Sequence, residues 1–193
     1  MKYKLCFNKE EISGSYLLPA SKSISNRLLI IKSIATKEIN IQNLSNAEDT
    51  TTLKNTLDFL SSNINTGNGG TTTRFLIALL SALPGVWNVT ASNKMRSRPV
   101  SQLVSSLREL GAIIDYTETT NYLPIKIQGG QINKSSIVLP ANISSQFISA
   151  ILLISPLLKQ GIEITLAGKI VSKPYINMTL SLMKICGIDS MWE

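Results

Sequence analysis

Three short stretches hold the residues that could do chemistry. The first is Pro19-Ala20-Ser21-Lys22-Ser23-Ile24-Ser25-Asn26-Arg27. Ser21 or Ser23 can cap a helix whose apolar stripe continues through Ile24, Leu28, Ile31 and Ala35. Lys22 is out of place there, because a cation at a helix start opposes the macrodipole unless an anion lies in front of it. The second stretch is Asn68-Gly69-Gly70-Thr71, and the third is Ser144-Ser145-Gln146. Each opens an apolar-periodic segment with small hydroxyl, amide or glycine residues. Three helix N-termini aimed at one place would sum their positive ends and offer many unpaired N–H donors. Gly69 and Gly70 would let a ligand come close to the backbone. Lys22, Arg27, Arg74, Lys94, Arg96 and Arg98 add side-chain charge, with arginine suited to a two-pronged grip on carboxylate or phosphate.

Taken singly, each stretch has an ordinary structural reading. Serines at helix starts are caps, Gly67-Asn68-Gly69-Gly70 is a turn, and the basic run 93–98 is a solvated loop. It matches neither a Walker loop nor a dinucleotide fingerprint. The similarity of the three entries is what argues for a shared anion site.

The bulk properties narrow the ligand. The 193 residues are 44% hydrophobic and 16% charged, which describes a globular chain. Nineteen basic against twelve acidic side chains give +7, favouring an anionic partner. Aromatic residues make up only 6% and do not alternate with basic ones, so a small anion is favoured over nucleic acid. With no histidine, chemistry must run on Lys, Arg, Asp, Glu, Ser, Thr or Tyr. No metal or cofactor is expected. Cys6 and Cys186 have no metal or redox spacing and read as reduced thiols. The polar N-terminus and the lack of a membrane-length apolar run point to a cytoplasmic chain with no membrane partner.

The pattern of elements repeats. Residues 1–18 read as one or two short strands, and 39–43 as another. Second helices start at Asp49 (as a cap), Val100 and Pro174, each about thirty residues after the first helices near Ser21, Thr71 and Ser144. Further strands are expected at 86–91, 112–116, 123–127, 137–139 and 162–166, with Gly111 and Gly187 as helix stops. The result is an α/β chain with a threefold internal repeat.

Five motifs also carry a resemblance. Ser21-Lys22-Ser23-Ile24-Ser25-Asn26-Arg27, Gly67-Asn68-Gly69-Gly70-Thr71 with Arg74, Arg98-Pro99, Ser144-Ser145-Gln146-Phe147 and Val171-Ser172-Lys173-Pro174-Tyr175 resemble, in order, those of the 5-enolpyruvylshikimate-3-phosphate synthase family. The match covers the first half of a family protein. It implies repeated βαβαββ units around a pseudo-threefold axis, helices inside and sheets outside, in one of two domains, with the last unit incomplete. Residues 1–18 would belong to the other domain and 19–193 to a substrate-binding domain with repeats near 21, 71 and 144. The implied reaction moves the enolpyruvyl group of phosphoenolpyruvate to the 5-hydroxyl of shikimate 3-phosphate and releases phosphate. Lys22 would be catalytic and touch both substrates. Ser23, Arg27, Ser144, Ser145, Ser172 and Tyr175 would hold shikimate 3-phosphate. Gly70, Lys94 and Arg98 would face phosphoenolpyruvate, with Gln146 between the two.

The family's acidic proton-transfer residues come from its second half, the expected partner domain, so this chain alone is expected to bind shikimate 3-phosphate weakly and to be inactive. The full-length form is expected to be a monomer. Departures from the family pattern are Ala20 for glycine, Gly69 for alanine, Phe75 for proline and Lys94 for arginine. Two other functions fit less well: a UDP-sugar enolpyruvyl transferase, whose opening motif differs, and a non-catalytic nucleic-acid-binding α/β module, prompted by the net charge.

Overall fold

The computed structural model describes residues 3, 4, 6, 13–190 and 192. Seven helices and six strands form among these residues. The first unit is helical: α1 (Lys22–Ile34) and α2 (Glu48–Asp58) pack together. The second unit contains β1 (Asn63–Asn65), α3 (Gly70–Ala82), β2 (Gly85–Thr90), the short α4 (Asn93–Arg96), α5 (Ser101–Glu109), β3 (Ile113–Tyr116) and β4 (Ile125–Gly129). The third contains β5 (Ser136–Pro140), α6 (Ser145–Ile154), a 3₁₀ turn (Ser155–Leu157), β6 (Glu163–Ala167) and α7 (Lys173–Ile185).

The second unit is a full βαβαββ. Its sheet runs β1-β2-β4-β3, with β1 and β2 parallel and the pairs β2–β4 and β3–β4 antiparallel. Strand β4 alternates inward Ile125 and Ile127 with outward Lys126 and Gln128, the pattern of a sheet with one wet face. In the third unit, β5 and β6 pair in parallel, and β6 has no second neighbour among the described residues.

Helices form the middle of the molecule. The first helices of the three units, α1, α3 and α6, all touch one another. Nearly all of α3 is buried, including Phe75, Leu76, Ile77, Leu79 and Leu80. Burying such side chains stabilises by about 1.5–3 kcal/mol each, so α3 anchors the core from which its N-terminus is aimed.

Several expectations need correction. Residues 39–43 form no strand, because no described segment lies alongside to complete a ladder. Asp49 does not cap α2: the cap position is Ala47, and the Asp49 carboxylate turns toward Lys22 instead. The basic run 93–98 contains the one-turn helix α4, capped by the Ser92 hydroxyl. Strand β1 was not expected. Residues 13–18 form no strand and are exposed, and the rest of the expected 1–18 strand segment lies mostly outside the described residues. The expected stops hold: Gly111 and Gly187 follow their helices with φ of 107° and 80°, conformations that favour glycine.

Candidate functional site

The N-terminal ends of α1, α3, α6 and α7 are linked by side chains. Ser21 caps α1, its hydroxyl accepting from the Ile24 N–H, so Lys22 is the first helical residue. A cation there needs a counter-charge, and Asp49 of α2 provides it: Lys22 Nζ lies 2.8 Å from Asp49 Oδ2, with the lysine side chain half-exposed. Asp49 in turn sits over the start of α3. A Cβ on Gly69 would lie 2.7 Å from its carboxyl carbon.

One residue further on, two arginines flank the backbone. A Cβ on Gly70 would stand 2.6 Å from Arg74 Nη1 and 2.7 Å from Arg98 Nη1. Arg74 is buried, its Nη1 donates to Gly70 O at 2.9 Å, and its Nε–H has no partner among the described residues. Its guanidinium lies 5.1 Å from the centre of the Phe147 ring, next to Gln146 at the start of α6. Burial, with repulsion from Arg98 second, pushes Arg74 down to about 10. Two guanidinium groups against one helix N-terminus, one of them with a spare buried N–H, form a place where an anion relieves repulsion and an unmade hydrogen bond together.

The other linkage centres on Arg27. Its Nε donates to Thr179 Oγ1 at 2.7 Å and its Nη1 to Ser23 O at 2.9 Å. Its Nη2 donates to Ser149 Oγ at 3.1 Å and to Tyr175 O at 3.4 Å. Arg27 thus ties α1 to α6 and α7, and most of its donors are engaged by the protein. Burial lowers it to about 10 as well.

Around these linkages the expected site residues are distributed unevenly. Gly70 and Arg98 meet at the start of α3, Lys22 is joined to that end through Asp49, and Gln146 precedes Phe147, whose ring lies against Arg74. Ser23 and Tyr175 contribute carbonyls to Arg27, and the Tyr175 side chain is about half exposed. Ser144 caps α6. Ser145 is buried in its first turn. Ser172 adopts the left-handed conformation, φ 59°, at the entry to α7, and its side chain makes no cap bond. An exposed hydroxyl on a strained backbone position fits a ligand contact better than a cap. Lys94 is exposed on α4, and no described side chain brings it to the others.

Asp49 and Phe147 join the site although neither was expected to have a ligand-facing role, and Arg74, expected only as one of several charges around the anion, lies at its centre. A cavity of about 790 Å³ lies elsewhere, in the third unit, lined by Ile148, Ile164, Leu166, Ile176, Leu180 and Met183 among others. No cluster of three or more metal-ligating side chains occurs among the described residues, nor does any helix long and apolar enough to cross a membrane.

Comparison with known proteins shows the family and the fold. The family model for EPSP synthase (3-phosphoshikimate 1-carboxyvinyltransferase) matches residues 8–66 and 54–190. The 3-phosphoshikimate 1-carboxyvinyltransferase of Bacteroides fragilis (strain YCH46) is 44% identical over 182 residues, which cover 94% of this chain and 44% of that protein. Its counterpart in Pseudoalteromonas translucida (strain TAC 125) is 34% identical over 203 residues, covering 92% and 48%. The EPSP synthase structure from Acinetobacter baumannii superposes with a TM-score of 0.81 at 23% identity, over 93% of this chain and 45% of that one, and shows the shared fold. The chain spans less than half the length of these relatives.

Proposed function

The chain belongs to the EPSP synthase family, and from that premise we propose that it is the substrate-binding part of an enolpyruvyl transferase acting on phosphoenolpyruvate and shikimate 3-phosphate. In that reaction the 5-hydroxyl oxygen of shikimate 3-phosphate forms the new bond to the enol carbon of phosphoenolpyruvate. The bond from that carbon to the phosphate oxygen breaks, and phosphate leaves. Both substrates are multiply charged anions, and bringing them together needs dense positive potential.

The observation that carries the reading is the junction of the α1 and α3 N-termini, where Lys22 is paired with Asp49 beside Gly69 and the Arg74 and Arg98 guanidinium groups close on Gly70. Lys22, with its half-exposed ammonium, touches both substrates and moves the proton. Gly70 and Arg98, with Lys94 swinging in, receive phosphoenolpyruvate. Ser23, Ser144, Ser145, Ser172 and the Tyr175 side chain surround shikimate 3-phosphate, Gln146 lies between the two ligands, and Arg27 holds three of the helices that carry them. Residues 1–18 cross to the family's other domain, residues 19–193 form the substrate-binding domain, and the chain works in the cytoplasm.

Calorimetric titration of the 193-residue chain with shikimate 3-phosphate tests the reading. Weak binding that Lys22→Ala abolishes is the expected result. No product should form when phosphoenolpyruvate is added, because the family's other half supplies acid–base groups and closure. Absence of binding, or binding indifferent to Lys22, overturns the site. Product formation overturns the division of labour.

A further inference from the structure

The N-terminus of α3 already faces an anion, and that anion belongs to the chain. Asp49 Oδ2 lies 2.8 Å from Lys22 Nζ. The backbone at Asp49 is tied down, since Thr72 Oγ1 donates to Asp49 O at 2.8 Å. The side chain, however, leans over the first residues of α3, and this is possible only because position 69 has no side chain. A Cβ there would stand 2.7 Å from Asp49 Cγ and 2.9 Å from Oδ1. The backbone of Gly69, with φ −79° and ψ 108°, suits any L-residue, so conformation does not require glycine. Space does, and the related family motif carries alanine at this place.

The surrounding charge is not balanced by Asp49 alone. Of the three cations here only Lys22 pairs with that carboxylate; Arg74 and Arg98 stand together one residue on, at Gly70, and the buried Arg74 Nε–H has no acceptor among the described residues. Glu48, the neighbouring acid, is engaged by Asn68 Nδ2.

We propose that Asp49 is a positioning residue, a resident counter-ion that holds Lys22 across the start of α3 until an incoming phosphate-bearing ligand displaces it, and that Gly69 is the gap that admits it. The inference rests on the functional reading above and adds a competitor to it. An arriving phosphate takes over Lys22, the α3 amides and the two guanidinium groups, and the Asp49 carboxylate swings into solvent. The contact therefore lowers affinity for anions in exchange for a lysine already extended toward the site.

The test is an NMR titration of the chain with inorganic phosphate, comparing Asp49→Asn and Gly69→Ala with the unaltered sequence. Asparagine keeps the shape and the backbone contact to Thr72 but loses the charge. Alanine at 69 meets the Asp49 carboxyl group and, at 3.0 Å, Thr72 Oγ1; both are side-chain atoms, and the Asp49 side chain can rotate away, so the fold survives. Both variants should shift the Lys22 side-chain ammonium resonance before phosphate is added. Both should bind phosphate about threefold to tenfold more tightly, the range expected for removing a partly exposed ion pair at a helix start. Unchanged or weaker phosphate binding overturns the proposal. So does an unmoved Lys22 resonance, a response in only one variant, or no phosphate binding by any of the three proteins. Shikimate 3-phosphate binding that depends on Lys22 would then leave the functional reading standing. Tighter phosphate binding by both variants without any shikimate 3-phosphate binding would do the reverse.

Discussion

Arg27 and Arg74 are almost equally hidden, 2% and 5% exposed, and each lies about 5 Å from the centre of a phenylalanine ring. Their hydrogen bonds separate them. Arg27 is surrounded by acceptors from α1, α6 and α7, whereas Arg74 has one carbonyl of its own helix, an unpartnered Nε–H and a second guanidinium nearby. A buried cation satisfied by neutral acceptors is part of the scaffold. One left short of acceptors, beside a like charge at a helix N-terminus, is arranged for an anion from outside. The family motif names Arg27 as a ligand contact, yet in this structure Arg74 has the stronger reason to meet one.

The largest expected effect breaks the scaffold side of the comparison. Arg27→Met should cost about 3 kcal/mol of folding stability in urea titration, because three helices lose their shared donor and Ser149 and Thr179 keep only each other and the Tyr175 carbonyl. A variant with unchanged stability but no shikimate 3-phosphate binding would make Arg27 a ligand residue after all. Burial lowers both guanidinium groups to about 10 in the folded chain, well below the usual arginine value. The unfolded chain therefore holds these protons more tightly, and their contribution to stability rises with pH only through that interval. At neutral pH both stay charged.

Arg74→Met should do the opposite. It removes repulsion from Arg98 and an unmade hydrogen bond, so stability should fall by less than for Arg27→Met. Affinity for inorganic phosphate should drop by about 2 kcal/mol, the weight of a charge-assisted hydrogen bond. Equal losses of stability in the two variants would erase the distinction. Gly70→Ala sharpens it at the backbone. The new methyl group meets the Nη1 atoms of both Arg74 and Arg98 and must push them apart. Phosphoenolpyruvate affinity should fall by about 1–2 kcal/mol, the range for overpacking, while shikimate 3-phosphate affinity changes less. Equal effects on both ligands would remove Gly70 from the phosphoenolpyruvate side.

Local features of this arrangement were legible in the sequence. Ser21 as a cap, Gly111 and Gly187 as helix stops and the three similar helix entries each depend on a few adjacent residues and are where they were expected, within one residue; the alternating strand expected at 123–127 is β4, two residues further on. Features set by distant packing were not. Asp49 looks like a cap because a short acidic residue near a helix start has that signature, while its partner Lys22 lies 27 positions earlier. The acceptors of Arg27 lie on Ser149 and Thr179, 122 and 152 positions away, so the staple exists only once α6 and α7 dock. Residues 39–43 have strand-like alternation but no neighbouring strand to pair with among the described residues. The second and third units make the same point: β2 and β6 both follow a first helix, but among the described residues β2 has a neighbour on each edge and β6 on one.

Tyr175 stands on both sides of the comparison and gives the smallest effect. Its carbonyl belongs to the staple, accepting from Arg27 Nη2 at 3.4 Å and from the Thr179 hydroxyl at 3.0 Å. Its side chain is about half exposed. Tyr175→Phe leaves the backbone contacts in place, so the urea midpoint should not move. If the phenol hydroxyl holds shikimate 3-phosphate, the variant should lose about 1 kcal/mol of affinity for it, one hydrogen bond's worth, and none for inorganic phosphate. A shifted urea midpoint with unchanged affinity would move the whole residue into the scaffold. The shikimate 3-phosphate side of the site would then rest on the serines at the starts of α1, α6 and α7.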